Sequence, residues 1–530
     1  MIPVRIRLGG LSRVSVAARL GACLLVLGFA RAVVAAPDAI AVVAIDADPG
    51  HFNPAITTGA HVHAVADSLF NGLVGLDRNL QAVPDLAESW QVSPDGMTYT
   101  FTLAEALWHD GEPFTSADVK FTFENVLLKQ HARTKAGLGP VIAGIDAPSP
   151  RTVVFRLKSP HAALLRRLDV TEAPILPKHI FQGVTDPSNA EANARPVGTG
   201  PFRLARYDRD ATIVLERNPK YFKPGLPKLD RLVFRVIKDP ATRVLAYERG
   251  EVDYLPSVPG KDVGLVMAKG RTTAVQSASG PGGGNCIMTI SFNLDREQLR
   301  NPAIRQALAM SINRERILQQ VLFGQGKVAQ APISSGVPWA HADGSLAAHP
   351  YDPPRAGALL DNAGLPLRAD RMRIKLDMVH FPTFNKYAEL MKQDLAAVGI
   401  ELVSRPLDRE AMVETTFKKR DFDMTLISYC NGVDPEIGVR RMYVSSNIGP
   451  IPFSNASSYR NERIDALFER AGTAATEHER GDLYKEAQGL LAADLPYWWL
   501  VETAITTLHK DKLAGFKPWT GQFAEEAASR

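Results

Sequence analysis

Hydrophobic and polar positions along this chain set a strand-rich first half against a second half in which strands alternate with helices. Thr98, Thr100 and Thr102 alternate with Tyr99, Phe101 and Leu103, the period of a half-buried strand. Ser93-Pro94-Asp95-Gly96 just before it suits a type I turn, with proline fixing φ at the second position and glycine at the fourth. Thr115 then offers an N-cap hydroxyl, with Asp118 in the capping-box position. Residues 152–157, 212–216 and 232–237 read as further strands, the last dense enough in apolar residues to predict burial on both faces.

Gly280-Pro281-Gly282-Gly283-Gly284 is the strongest breaker, and the predicted crossover between two domains lies near 280–293. After a strand over 287–292, a helix is predicted with Asn301 as cap and Pro302 at the first position. Ile304, Leu308 and Ile312 line one of its faces, and Gly324 or Gly326 ends it. Ile374, Leu376, Met378 and His380 alternate, Tyr387, Leu390, Met391, Leu395 and Val398 follow at helical spacing, and Ile400 opens another strand. That strand–helix–strand unit implies a parallel pair with a right-handed crossover. Residues 495–500 read as a buried strand, and residues around 513–516 are expected to return to the first domain.

A chain of 530 residues exceeds what one core usually supports, which agrees with two domains. The formal charge of +4 is misleading, because residues 1–36 hold five arginines and no acid, and taking those five away leaves −1. Such a balance gives no electrostatic case for nucleic acid or an anionic membrane surface. The same 36 residues read as a secretory signal: a basic start, an apolar run over about 20–29, then small residues, with cleavage expected near Ala35. The apolar run is too short to span a bilayer comfortably. Leu20-Gly21-Ala22-Cys23 has the letters of a lipobox, but its cysteine precedes most of the apolar run. An exported, periplasmic protein is expected, carrying Cys286 and Cys430 as either one disulfide or two buried thiols.

Catalytic chemistry finds little purchase. His61 and His63 form the only close histidine pair, and on a helix their rings would point about 200° apart. There is no His-Glu-x-x-His, no closely spaced cysteine pair and no Gly-x-Ser-x-Gly elbow. Gly198-Thr199-Gly200 is not followed by a phosphate-binding Lys-Ser/Thr. No cofactor and no metal are expected. A secreted hydrolase, the rival from a different class, would need a nucleophile–base pair that the sequence does not offer.

Five segments together carry a resemblance. Pro84-Asp85-Leu86-Ala87-Glu88-Ser89-Trp90 runs on to Leu107-Trp108-His109-Asp110-Gly111. Gly198-Thr199-Gly200-Pro201-Phe202, Asn218-Pro219-Lys220-Tyr221-Phe222, Asn301-Pro302-Ala303-Ile304-Arg305-Gln306-Ala307-Leu308 and Tyr351-Asp352-Pro353 follow in order. The chain resembles the family 5 extracellular solute-binding proteins, which deliver peptides, nickel chelates and related solutes to ABC importers. The resemblance implies an α/β, periplasmic-binding-protein-like fold of type II, cluster C. Lobe I would cover 36–280, including a β-rich subdomain at about 80–200, lobe II 290–505, and a C-terminal return 506–530. It also implies a Cys286–Cys430 disulfide, hinge closure on a solute, an importer permease as partner, and a monomer. A role feeding a chemoreceptor would look the same.

Three segments are the expected ligand site. Thr57, Thr58 and Gly59 offer hydroxyls and backbone groups where the family's early segment meets ligand, though a plain N-cap turn explains them equally. Phe384 and Asn385 lie in a loop after a strand, where open α/β sheets collect ligands. In Asn431-Gly432-Val433-Asp434-Pro435, Asn431 stands where peptide-binding relatives place the aspartate that holds the ligand's α-ammonium. Either Asp434 takes over that task or the ligand has no free ammonium. In the second case an opine, a sugar-phosphate conjugate or a nickel chelate would rival peptides. Arg440 and Arg441 could clamp an anion, with surface solvation the plainer reading of Arg441. Trp339, Trp498 and Trp499 offer stacking surfaces, though core burial accounts for at least one of the last two.

Overall fold

The computed structural model describes residues 39–277, 284–342, 344, 346, 349–518 and 520–530. The expected signal segment and most of the glycine breaker lie outside the described residues. Two sheets dominate. The first has seven strands in the order Thr272–Ser277, Ile505–Lys510, Tyr254–Leu255, Ile40–Ile45, Arg231–Val236, Thr212–Arg217 and Phe202–Asp208. The second has six: Gly326–Val328, Tyr497–Thr503, Cys286–Phe292, Met424–Cys430, Ile374–His380 and Ile400–Pro406. A four-stranded antiparallel sheet (Ala87–Val92, Thr98–Leu103, Thr152–Leu157, Ile142–Ser149) forms the β-rich subdomain.

The chain passes between the large sheets twice. It leaves the first at Ser277 and enters the second at Cys286; it returns between Thr503 and Ile505. The two exits meet, because Ser277 is the register partner of Ile505. The second crossing is therefore a single residue, Ala504, between two strands. The C-terminal return packs Phe516 and Phe523 against Tyr254 in the first lobe.

Local signals behave as their chemistry dictates. Gly96 donates its N–H to Ser93, closing the turn at 2.8 Å. Thr115 and Asp118 form the full capping box on Ser116–Thr122. Ile374–His380 and Ile400–Pro406 pair in parallel across the helix Asn385–Ala396. Two expectations need correction. The helix begun by Pro302 stops at Ser311, and a second, Arg314–Val321, starts under its own cap, Asn313. The Asn313 side chain accepts from Arg316 N, and its own N–H is taken by Asp394 at 3.0 Å, so the backbone has better partners there than a continuous helix would give. Strand Arg231–Val236 buries Leu232 and Phe234 on one face only; on the other, Arg235 reaches out to Glu251.

The signature segments around Asp85, His109, Gly198–Gly200 and Tyr221 converge on one buried network in the first lobe. Thr199 donates to Asn71, Asn71 donates to Asp85, and Lys223 pairs with both Asp85 and Glu525. Gly198 and Gly200 lie against the Leu69 carbonyl so closely that a Cβ on Gly198 would sit 1.8 Å from its oxygen. His109 spans these glycines through its ring, donating from Nε2 to Gly200 O and accepting Gly198 N–H at Nδ1. These motifs hold the fold.

Candidate functional site

Strand Ile40–Ile45 runs parallel to Arg231–Val236 on one side and Tyr254–Leu255 on the other. At its carboxyl end lies a mostly apolar cavity of about 220 Å³. Asp46, His61, Tyr254, Ser257, Ser277 and Ile505 are among its lining residues. The last two are the first-lobe residues at which the chain leaves for the second lobe and re-enters from it, so this cavity sits beside the hinge. Ligands gather at carboxyl ends of parallel strands in open α/β sheets.

Helix Ala60–Ala66 forms one wall, through Ala60, His61 and Ala64. Thr57 and Gly59 build its entrance: Thr57 Oγ1 accepts from Gly59 N at 3.0 Å, and Gly59 is the N-cap residue. Thr58 is exposed. The expected segment thus positions the wall without itself lining the cavity. His61 faces the cavity, while His63 is buried with Nδ1 toward Asp67 and Nε2 toward the Thr57 carbonyl. Burial alone would lower the His63 pKa, but the adjacent Asp67 carboxylate raises it, as suits a ring with both nitrogens donating.

Across the hinge, the Cys286–Cys430 disulfide joins the ends of neighbouring antiparallel strands, with the Cα atoms 3.7 Å apart. Asn431 follows, 1 % exposed. Its Oδ1 accepts Ser334 N–H at 2.6 Å, and its Nδ2 has no hydrogen-bond partner among the described residues. Ser334 and Ser335 in turn donate to Glu502, a carboxylate 3 % exposed near the end of strand Tyr497–Thr503.

Asp434 is corrected: it does not await an ammonium. Its oxygens accept from Arg480 at 2.6 and 2.9 Å, from Arg166 at 3.0 Å and from the Glu436 N–H at 3.0 Å. Burial would raise its pKa, yet the Arg480 and Arg166 guanidiniums hold it below the ordinary carboxylate value. Arg166 belongs to the first lobe, so this ion cluster ties the lobes together. Arg166 also meets Glu477, and Gln81 donates to Glu477 at 2.9 Å. Trp339 stands with it: the Arg166 and Arg480 guanidiniums lie over its ring, at 5.1 and 4.9 Å, so the ring serves the ion cluster. Beside the cluster lies a second cavity of about 490 Å³, of mixed lining, between Tyr99 and His161 of the first lobe and Ala474 and Glu477 of the second.

Other expected residues also lie elsewhere. Arg440 pairs with Glu436 at 3.2 Å and donates to the Phe468 carbonyl, so its charge is already matched. Burial pushes the Glu436 pKa up to about 7. Arg441 is half-buried, and its guanidinium donates to the Gly438 and Cys430 carbonyls. Trp499 is core, its Nε1 donating to Tyr443 Oη, and Trp498 is core under Arg314. Phe384 packs edge-on to Phe381 and Tyr387, and Asn385 is exposed at the helix start; neither lines the cavities above. Sequence reasoning missed Arg166, Arg480, Glu477 and Glu502. No local pattern marks them, since each gains its role from a partner far along the chain.

Residues 81–450 match the family model described as bacterial extracellular solute-binding proteins, family 5. The chain belongs to that family. It is a solute-binding component of an ABC importer, a class that works with membrane permease subunits. A candidate ABC transporter peptide-binding protein of Brucella ovis is 30% identical over 462 residues, 84% of each chain. The glutathione-binding protein GsiB of Salmonella typhimurium is 28% identical over 516 residues, covering 94% of this chain and 97% of GsiB. The periplasmic binding protein DppA of Helicobacter pylori, solved with the peptide STSA, is 25% identical. It superposes with a TM-score of 0.74 over 92% of this chain and 98% of its own. In a family 5 protein of this fold, solute is captured by closure of the two lobes.

Proposed function

We propose that the protein captures a short peptide or peptide-like solute beside the hinge and hands it to an importer permease. The observation that carries this reading is the cavity at the carboxyl end of strand Ile40–Ile45, bounded by Ser277 and Ile505, where the chain leaves the first lobe and re-enters it. Its volume is below the roughly 300–1,000 Å³ of pockets that enclose a whole drug-sized ligand. It suits one apolar side chain, with the rest of the solute lying between the lobes, near the Thr57–Thr58–Gly59 turn and Asn431. The Brucella, GsiB and DppA relatives support the peptide class. No bond-making step is required of such a protein, and we read it as a monomer exported after a cut near Ala35.

A second reading, an anionic solute, is favoured by Arg441, a half-buried guanidinium with no carboxylate within ion-pair distance among the described residues. Native mass spectrometry of the protein purified without denaturation, followed by calorimetric titration with di- and tripeptides and glutathione, separates the two. A retained free-amine peptide, or micromolar binding of the panel, is the expected result. A phosphate-bearing or amine-blocked mass with no peptide binding would replace this reading with the second.

A further inference from the structure

Away from the hinge a backbone hydrogen bond joins the lobes: Ala162 N–H of the first donates to the Gly472 carbonyl of the second at 3.1 Å. Each end of that bond lies beside a buried polar atom with no hydrogen-bond partner among the described residues. On the first lobe this is Nε2 of His161, the residue before Ala162. On the second it is Oε2 of Glu436, packed so close to Gly472 that a Cβ there would sit 3.1 Å away. His161 also lines the interlobe cavity of about 490 Å³, together with Arg480 and Glu477 of the second lobe. A neutral imidazole can leave one nitrogen bare at modest cost, whereas an imidazolium sealed there would have a buried charge and an unanswered N–H.

The surroundings of His161 come from both lobes. Burial acts first against a charged ring, then Arg167 of its own lobe, itself 3.7 Å from Glu172. Across the seam Arg480 and Arg440 also oppose the charge, while Asp434 favours it. Asp434 is already engaged by Arg480 and Arg166. Of the other charged groups on the cavity, Asp95 accepts from Ser93, and Arg166 and Glu477 pair with each other. Tyr99 Oη donates to the His161 carbonyl, not to its ring. The sum lowers the His161 pKa from 6.5 to about 4. Parting the lobes takes Arg440 and Arg480 away and lets water in, so the open form accepts a proton that the closed form refuses.

We infer that His161 is a protonation catch on the closed lobes: the seam shuts over the neutral ring, and a proton on that ring opens it. Its hold is complete above about pH 6.5 and weakens as pH falls toward 4. Glu436 acts in the opposite direction, because burial pushes its pKa up to about 7 and the closed seam keeps its proton. Substitution separates the two.

The test is hydrogen exchange at the Ala162 amide of the mature, ligand-free protein, resolved by mass spectrometry and corrected for intrinsic rates, since protection there reads how often the seam opens. Wild type and His161→Asn are compared at pH 7.5 and pH 5.0, with melting curves to check folding. The ratio of wild-type to variant protection is expected to fall on acidification, by up to about thirty-fold if opening restores the ordinary histidine value in full. A ratio constant within about two-fold would overturn the catch, as would an unprotected Ala162 amide in wild type at pH 7.5. Should His161→Asn not fold, Glu436→Gln decides: it keeps His161 and removes the opposing carboxyl, so its own protection should fall toward pH 5.0, and a flat profile would overturn the inference.

Discussion

At Asp434 the lone pairs decide the role. Two guanidiniums and a helix N–H occupy the carboxylate, so an ion that sequence placed at the ligand serves the lobe contact instead. Its acid-Pro setting was legible, but its partners were not: Arg166 lies 268 positions away and Arg480 46. Asp169 is another residue whose role comes entirely from its surroundings. Burial, then the nearby Glu172 and Asp67 carboxylates, raise its pKa from 3.8 to about 7. Its folded form therefore holds the proton more tightly than its unfolded form. The stability this gives is present in full below about pH 4 and is lost as pH rises toward 7. Asp169→Asn cannot ionise. The melting temperature of the variant relative to wild type should climb across that window, by the equivalent of a few kcal/mol, on the order of the shift. Parallel melting curves at pH 5 and pH 8 would contradict it.

Elements were readable wherever the deciding contacts were local. The capping box at Thr115 and the Ser93–Gly96 turn are settled within four residues, and both appear as read. The split of the helix at Ile312 was not readable, because the competing acceptor, Asp394, is 81 positions from Asn313. The glycines of Gly198-Thr199-Gly200 were legible as a landmark but not as to their cause, which is the Leu69 carbonyl from a distant segment. That cause makes a firm expectation. Gly198→Ala would push a methyl into backbone that cannot give way, at a cost above the roughly 1–3 kcal/mol of ordinary overpacking. Loss of soluble, cooperatively melting protein should follow. A variant melting within a few degrees of wild type would show that the Leu69 segment can move.

For the whole molecule, the order of strands and the resemblance together foretold two lobes and a disulfide, and the chain does pass between two sheets with Cys286 bonded to Cys430. What sequence could not supply was the contact that spans the lobes away from the hinge. Arg166→Gln should weaken it and leave the fold intact. Small-angle scattering of ligand-free protein is then expected to give a larger radius of gyration than wild type, and superimposable curves would exclude a closing role for Arg166. The asymmetry of the cluster has a further consequence. When the lobes part, Asp434 keeps both of its bonds to Arg480, so no buried acid is stranded. The second lobe is then left with two acids and one base, and the departing first lobe carries the odd cation. The separated surfaces thus hold opposite net charges and pull on each other before they touch, over a range of about 8 Å at physiological salt. Ionic strength becomes a dial on how often an empty protein shuts, and concentrated salt should hold it open without changing a single residue.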